Sequence, residues 1–247
     1  MKIIINADDF GINQRVTEAI IEGIKNKLIS STTIMANGVC LSEAKEFSLC
    51  HSEISFGIHY CLSEFESLTK PEIFLRNGLI DKNGFFIKKA IFKIKYIDDT
   101  LRNAIYDELC SQTEKLISLG FSISHADSHH HVHTIPILKD IFISVMLKYG
   151  INKVRLPRSY RLLSAIRHPF SYMDYLSLRG AYKNKFKTVD YFASYKEYVQ
   201  KPVIRDTVEL MCHPGHPGSI YCHEMDLLKK KSLIDLCEYQ LISYKDI

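Results

Sequence analysis

The stretch His125-Ala126-Asp127-Ser128-His129-His130-His131-Val132-His133 holds five of the chain's eleven histidines in nine residues. Imidazole is the commonest protein metal ligand and the only side chain whose unperturbed pKa brings its charge change near neutrality. The apolar run Gly120–Ser124 predicts a short strand before the stretch, and Ile135–Lys148 predicts a helix after it. We therefore expect these histidines on a strand-to-helix loop, where α/β proteins keep their chemistry. A solvated loop without function is the alternative; an expression tag is disfavoured because the stretch is mid-chain and contains Asp, Ser and Val.

Strands and helices are predicted to alternate in both directions from this loop. The further predicted strands are Lys2–Asn6, Ser31–Ala36, Ile54–Ile58, Lys153–Leu156 and Thr207–Met211. The further predicted helices are one that begins after an Asn13 N-cap, then Ser42–Leu49, Thr100–Leu119 and Glu224–Tyr239. Residues 60–86 are expected to form a long loop or lid, and residues 158–201 show no clear pattern. Repeated strand–helix units indicate an α/β fold with a parallel sheet, and a chain of 247 residues fits an α/β barrel.

Composition excludes several classes of function. The net charge is only +4, and no Lys/Arg-rich block is interleaved with aromatic residues, so nucleic acid is not an expected partner. The sequence shows no signal peptide, and it has no run of about 18 apolar residues that would predict a transmembrane span. The seven cysteines form no C-x-x-C pair, and free thiols in this number suit a reducing cytoplasm. Neither of the Gly-rich phosphate-binding motifs, G-x-G-x-x-G and G-x-x-x-x-G-K, is present in the sequence.

Polar, chemistry-bearing residues follow four of the predicted strands directly. These residues are Asp8-Asp9, His59, His129 and His213. The carboxyl ends of all strands in a β/α barrel meet at one face, and active sites are built there. The sequence therefore predicts that these residues converge.

Two adjacent carboxylates repel each other, so a positive group or a shared proton should stabilise Asp8 and Asp9. A divalent metal does this if one Asp is a ligand and the other remains free as a base. The alternative is that Asp9 merely caps a helix.

A catalytic metal site typically has three protein ligands and one open position, and an Asp with two histidines would make such a set. Spacing does not select the ligand among the five histidines of the His-rich stretch. His59 alone would more often be structural. Asp127 could orient a ligand histidine through its second ring nitrogen.

The remaining candidates lie further along the chain. His213 precedes Pro214-Gly215, which can hold a side chain at the mouth of a site; the alternative is a turn with an incidental His, as His216 suggests. Arg155 could hold a carboxylate by two hydrogen bonds, or it could be an exposed strand-end residue.

Four blocks of the sequence together resemble the YdjC-like (ChbG) carbohydrate deacetylases. The blocks are Asn6-Ala7-Asp8-Asp9-Phe10-Gly11, Gly57-Ile58-His59, the stretch from His125 to His133, and Cys212-His213-Pro214-Gly215. The Ser31-Thr32-Thr33 and Asn37-Gly38 residues fit as well. The resemblance runs from residue 2 to the C-terminus, and it is weakest over 60–98 and 158–205.

The resemblance implies a single domain over residues 1–247, with a distorted (β/α) barrel of seven strands, TIM-like in form. It implies one divalent metal held by Asp9, His59 and His129, with Asp8 as general base and His213 as general acid. Mg²⁺ is the metal usual for the family, although two histidines and a carboxylate suit Zn²⁺ or another transition metal better. Members are often homodimers. We add Asp127, Arg155 and His131 as candidates for contacts to the ligands or the substrate.

The activity implied is hydrolysis of the acetyl group of N-acetylated sugars such as chitooligosaccharides, giving acetate and a free amino sugar. The alternatives are a metal-dependent phosphoesterase or another amidohydrolase on a similar barrel, which a second ligand set would favour, and an inactive sugar- or metal-binding protein. The chain has no Trp, so a sugar platform would come from Tyr60, Phe85, Phe86 or the tyrosines between 160 and 195.

Overall fold

The computed structural model describes residues 1–159, 169–217, 224–229 and 238–247, with the backbone alone at 169–171. The strands are β1 (Lys2–Phe10), β2 (Ser31–Ile34), β3 (Ser55–Tyr60), β4 (Ala126–Ser128), β5 (Tyr191–Ser194), β6 (Thr207–Cys212) and β7 (Gln240–Leu241). The helices are α1 (Gln14–Lys25), α2 (Leu41–Leu49), α3 (Glu72–Arg76), α4 (Asp99–Ser118), α5 (Lys139–Lys148), α6 (Pro169–Lys183), α7 (Tyr195–Gln200) and α8 (Glu224–Lys229). None of the helices in these ranges is long and apolar enough to cross a membrane.

The strands form one curled sheet in which every named pairing is parallel. The order is β4-β3-β2-β1-β6-β5, and β7 adds a short pairing to the start of β1. Single parallel bridges continue past β4, from Ala126 to Val154 and from Lys153 to Lys187. The predicted α/β class and the parallel sheet are confirmed, whereas the regular strands form an open half-barrel and not a closed barrel.

The central strand, β1, is buried from Ile3 to its end and carries a bulge where the chemistry begins. Its pairing with β2 shifts register between Ala7 and Phe10, and Asp9 has φ of 70°. Successive side chains of a regular strand point to opposite faces, and a bulge can re-aim one of them. Asp tolerates this left-handed conformation better than most residues. The bulge therefore lets neighbouring Asp8 and Asp9 face the same site.

Several predicted boundaries differ from the structure. The predicted strand Gly120–Ser124 is wrong: β4 begins at Ala126, and its three residues include Asp127 and Ser128, which give no apolar signal. The segment Lys153–Leu156 makes only single bridges. Strands β1 and β3 extend past their predicted ends and include Asp8-Asp9 and His59, because these polar side chains are buried against one another. A helix is predicted over Glu224–Tyr239, and the described residues include its first part as α8, up to Lys229. Tyr239 is not helical, and the part of the predicted helix between these residues lies outside the described ranges.

The helices flank the sheet where the apolar spacing predicts them. Asn13 caps α1 by accepting a hydrogen bond from the Val16 N–H, as expected, so Asp9 is not the helix cap. The region 60–97, of which residues 60–86 are predicted as a long loop or lid, holds the short helix α3, a 3₁₀ helix at Ala90–Lys93 and otherwise irregular chain. The patternless region 158–201 holds α6, β5 and α7 in its described part.

Candidate active site

Asp9 lies at the centre of a buried cluster, with only 1% of its surface exposed. Its Oδ1 atom is 3.2 Å from His59 Nε2 and 2.9 Å from His129 Nδ1. Burial alone would raise the pKa of Asp9, but the neighbouring histidines outweigh burial and hold that pKa well below its ordinary value. Asp9 is therefore a carboxylate that attracts positive charge to one point.

His59 is held from behind by a carboxylate. The parallel pairing of β3 with β4 places His59 opposite Asp127, and His59 Nδ1 is 2.6 Å from Asp127 Oδ1. The Thr33 hydroxyl donates to Asp127 Oδ2 at 3.1 Å. Because a neutral imidazole has one donor and one acceptor nitrogen, a proton kept on Nδ1 toward Asp127 would leave the Nε2 lone pair for a cation held by Asp9. Asp127 thus has the orienting position expected from the sequence.

His129 follows β4 directly and is also placed between two carboxylates. Its Nδ1 faces Asp9, and its Nε2 is 3.3 Å from Glu64 Oε2. Burial lowers the pKa of His129, but Asp9 and Glu64 outweigh burial and raise it to about 9. With a cation beside Asp9, these contacts would allow the neutral ring to keep its proton on Nε2, toward Glu64, and to offer its Nδ1 lone pair to the cation.

These three side chains fit a divalent cation. One donor atom each from Asp9, His59 and His129 lies within 4.8 Å of the others, and both histidines have their second nitrogen on a carboxylate, as metal-bound histidines usually do. Two imidazoles and one carboxylate form the donor set of a catalytic site with an open position. We found two further groups among the described residues, Glu64-His129-His130 and Asp8-His59-Asp127, and each shares a histidine with the first.

Asp8 is held beside this cluster by Arg155. The guanidinium donates from Nη1 to Asp8 Oδ2 at 2.6 Å and from Nη2 to Asp8 Oδ1 at 2.7 Å. The same guanidinium contacts Asp127 Oδ2 and Glu209 Oε1, each at 2.7 Å. Arg155 is fully buried, so the exposed alternative is wrong, and the carboxylates that it holds belong to the protein. Burial would raise the pKa of Asp8, but Arg155 keeps it well below the ordinary range.

His213 follows β6 and faces Asp8 across the site. Its Nε2 is 3.8 Å from Asp8 Oδ2, and its backbone N–H donates to Glu224 Oε2 at 2.5 Å. Burial lowers the pKa of His213, although Asp8 and Asp9 oppose that shift. Burial also raises the pKa of Glu224 to about 7.

His216 is not incidental to the turn that follows His213. Its Nε2 is 2.9 Å from Asp9 Oδ2. Gly215 between them has φ of 80°, and a Cβ there would lie 2.8 Å from the Arg15 carbonyl oxygen in α1. The close packing of this turn on α1 brings both histidines to the site.

The structure separates the five histidines of the His-rich stretch. His125 stacks on Tyr244 at 3.8 Å and lies 3.2 Å from Asn6 Oδ1, so it is part of the core. His133 is buried against Ser128 Oγ and the Arg155 carbonyl oxygen. His130 contacts Ser63 Oγ at 2.9 Å. His131 lines the cavity described next, its Nδ1 has no hydrogen-bond partner within the described residues, and burial and Arg155 lower its pKa.

A cavity of about 540 Å³ opens over the cluster. Its floor holds the residues described above, and its outer wall comes from Lys88, Lys89 and Phe92 of the region 60–97. The predicted sugar platforms Tyr60 and Phe86 are buried and do not line the cavity, and neither does the half-exposed Phe85. The available aromatic surface in the wall is Phe92, which is 45% exposed.

Sequence reasoning misses four residues that lie in or beside the site: Glu64, Glu209, Glu224 and His216. Glu209 alternates with apolar residues in a strand, and Glu224 opens a helix, so neither carries a local signal of function. The spacing of His216 from His213 is the one visible clue. Glu64 lies in the region without periodicity.

The whole chain is similar to proteins of known name. A family described as YdjC-like protein matches residues 2–239. A carbohydrate deacetylase of Geobacillus stearothermophilus is 30% identical, with 98% of this chain and 96% of that protein covered. One of Clostridium beijerinckii is 28% identical over the full length of both chains.

Solved structures agree on the fold. An Enterococcus faecalis protein, described as a candidate cellobiose-phosphate cleavage protein, matches with a TM-score of 0.78 and 24% identity, covering 99% of this chain and 98% of that one. A lactam utilization protein from Thermus thermophilus matches with a TM-score of 0.53 and 11% identity, covering 98% of this chain and all of that one. The family inferred from the sequence blocks is confirmed, and the names of the curated relatives agree with the expected class of enzyme. The chain belongs to the YdjC-like family.

Proposed function

We propose that this protein is a metal-dependent deacetylase that hydrolyses the acetyl amide of an N-acetylated sugar. The relatives named carbohydrate deacetylases support the sugar and the reaction. The observation that carries the metal is the pair of histidines, His59 and His129, each backed by a carboxylate and each facing Asp9 Oδ1 with the other nitrogen. A divalent cation bound there supplies a Lewis acid that polarises the acetyl carbonyl and lowers the pKa of a water molecule.

Asp8 is placed to accept the proton of the attacking water. Asn6 and Arg155 donate to its Oδ1, and Arg155 also donates to its Oδ2. A carboxylate has about four acceptor positions, so one remains, on the Oδ2 atom that faces His213. Arg155 holds the pKa of Asp8 well below its ordinary value and fixes the direction of that last position.

We assign to His213 the protonation of the amine as the C–N bond breaks. Its position 3.8 Å from Asp8 puts the proton acceptor and the proton donor on the same side of the cavity. Glu224 accepts a hydrogen bond from the backbone N–H of His213 and so fixes the position of this residue directly after β6. The water supplies the hydroxyl of acetate, its proton goes to Asp8, and the nitrogen leaves as a free amine after taking a proton from His213.

The sugar is expected to occupy the cavity between this floor and the wall formed by Lys88, Lys89 and Phe92. His131 is a candidate hydrogen-bond partner for the sugar, because its ring lines the cavity and its Nδ1 has no partner within the described residues. A chitooligosaccharide is the substrate that we would test first. On the family resemblance we also propose a distorted, TIM-like barrel over one domain, Mg²⁺ as the metal and a homodimer. The free thiols among the described cysteines fit a cytoplasmic site of action.

The test is release of acetate from N-acetylglucosamine oligomers by the purified protein supplied in turn with Mg²⁺, Mn²⁺, Co²⁺ and Zn²⁺. We expect acetate from the wild type with at least one metal, and none above background from Asp9→Asn. Acetate release at the same rate without any metal, or from Asp9→Asn, would refute the metal-dependent reaction.

The phosphoesterase alternative is weakened in the described part of the chain. A second metal would need its own ligands, whereas both further groups share a histidine with the first. Asp8 and Asp127 are already held by Arg155, and Glu64 by Lys88. Hydrolysis of p-nitrophenyl phosphate by the same preparation, in the absence of any acetate release, would favour the alternative.

A further inference from the structure

Within the described residues, Glu64 is the one carboxylate of the region 60–97 that reaches the metal-ligand cluster. It lies four residues beyond β3, and its side chain is 24% exposed. One carboxylate oxygen, Oε2, is 3.3 Å from His129 Nε2. The other oxygen, Oε1, is 2.5 Å from Lys88 Nζ. Glu64 therefore joins the outer wall of the cavity to a residue of its floor.

The position of Glu64 decides which nitrogen of His129 is available. Asp9 and Glu64 both only accept hydrogen bonds, and without a cation Nδ1 lies 2.9 Å from Asp9 Oδ1 as a hydrogen-bond donor. With a cation held between Asp9 and His129, the Nδ1 lone pair would go to the cation, and Glu64 would accept the proton that remains on Nε2. In the other histidine ligand, His59, the Nδ1 atom is hydrogen-bonded to Asp127, and Nε2 faces the same oxygen of Asp9. The two histidines thus present opposite ring nitrogens, and in each case a carboxylate sets the choice.

The backbone that carries Glu64 is anchored. The side chain of Gln112 in α4 accepts from the Cys61 N–H at 2.9 Å and donates to the Cys61 carbonyl oxygen at 2.7 Å. Ser63 Oγ contacts His130 Nδ1 at 2.9 Å, next to His129 itself. The contact between Glu64 and His129 is therefore built into the fold and does not depend on a freely moving loop.

We propose that Glu64 is a positioning residue for the metal: it holds His129 in the ring form that binds through Nδ1, and Lys88 holds Glu64 in place. This inference rests on the proposed metal site, and it assigns to a residue outside the family blocks a share of the metal affinity. Carboxylates behind metal-bound histidines typically contribute about 10- to 100-fold in affinity.

The first test is Zn²⁺ affinity, measured by calorimetry on the full chain without substrate, for wild type, Glu64→Gln and Glu66→Gln. Glu66 is a matched control, since it lies two residues away and pairs with Lys70 at the surface. We expect Glu64→Gln to bind Zn²⁺ about 10- to 100-fold more weakly and Glu66→Gln to bind like the wild type. Affinity of Glu64→Gln within twofold of wild type would overturn the inference.

The second test needs no variant of Glu64 and reads the ring directly. Long-range ¹H–¹⁵N NMR spectra of the Zn²⁺-loaded wild type should show His129 protonated at Nε2 and bound through Nδ1, and His59 the reverse; His129→Asn assigns the signals. Binding of His129 through Nε2 would contradict the role of Glu64 even if Glu64→Gln fails to fold. If the wild type binds no divalent ion, the proposed metal site is refuted, and the role of Glu64 is refuted with it. If the wild type and Glu64→Gln bind Zn²⁺ with equal affinity, only the role of Glu64 is refuted.

Discussion

The floor and the wall of the cavity are built by different means. The floor comes from the ends of β1, β3, β4 and β6 and from the segment Lys153–Leu156. Asp8, Asp9, His59 and Arg155 are at most 2% exposed there and are fixed by charged partners. The wall comes from irregular chain between β3 and α4, where Lys88, Lys89 and Phe92 are largely exposed. Buried, paired charges are costly to disturb, whereas exposed ones contribute little. We therefore expect the floor to determine the reaction and the wall to determine the substrate.

The largest effect should come from Asp8→Asn. Loss of the proton acceptor should lower kcat by about 10²- to 10⁴-fold, as for other general bases, while the metal content stays at the wild-type value. Steady-state kinetics together with elemental analysis measures both. The matched control is Asp206→Asn at the exposed surface, which should keep wild-type kcat. A kcat for Asp8→Asn within threefold of wild type would remove Asp8 from the reaction.

Arg155→Met should cost the most stability. The substitution leaves Asp8, Asp127 and Glu209 buried without their shared cation, and breaking a buried ion pair in this way costs about 3–5 kcal/mol. Arg158→Met is the control, because Arg158 pairs with Glu197 at the surface, and such pairs contribute about 0–1 kcal/mol. Urea unfolding measures the free energy of unfolding of both variants. Equal losses would show that the floor is not held as the contacts indicate.

Metal affinity should rise with pH between about 6 and 9. In the metal-free protein, Asp9 and Glu64 raise the pKa of His129 to about 9 against the effect of burial, so at neutral pH a cation must displace a proton from it. Each displaced proton should strengthen binding by about tenfold per pH unit, until the pH exceeds the pKa of His129. Calorimetry in buffers of different ionisation enthalpy measures the proton release. Binding without proton release at pH 7 would contradict this account of the floor.

A substitution in the cavity wall should have the smallest effect on the kinetics. Phe92→Ala should raise KM about three- to tenfold, because partly burying an aromatic ring against a ligand contributes roughly 1 kcal/mol. Its kcat and metal affinity should not change. Phe85→Ala is the control, since Phe85 is similarly exposed on the same region but does not line the cavity. A large fall in kcat for Phe92→Ala would abolish the division between wall and floor.

The same division explains how far sequence reasoning reaches. Asp8-Asp9, His59 and His213 can be found because each stands at or near the end of a strand that the sequence predicts. His129 can be found only as a member of the His-rich stretch, because the strand predicted before that stretch is wrong and β4 lies within it. The bulge at Asp9, which brings two neighbouring carboxylates to one side, has no such signal, because it depends on how β1 pairs with β2. The orienting position of Asp127 follows from the His-rich stretch itself, whereas the choice of His129 needs the resemblance.

The rest depends on contacts between residues far apart in sequence. In the sequence, Arg155 looks equally suited to the surface. Its burial among three carboxylates follows from the packing of β1, β4 and β6 around the segment Lys153–Leu156. Glu64 lies in chain without periodicity, so no local pattern relates it to His129. His216 looks incidental in the sequence because the tight turn at Gly215, which brings it to Asp9, is set by the packing of that turn against α1.

The most direct test of the central claim is the metal content of the purified protein, measured by elemental analysis for wild type, His129→Asn and His130→Asn. His130 is the matched control, because it is the next residue and Asn tolerates its left-handed backbone, with φ of 53°. We expect one equivalent of divalent metal in the wild type and in His130→Asn, and a loss in His129→Asn. No metal in the wild type after dialysis against Mg²⁺, Zn²⁺, Co²⁺ or Mn²⁺, or full retention in His129→Asn, would contradict it.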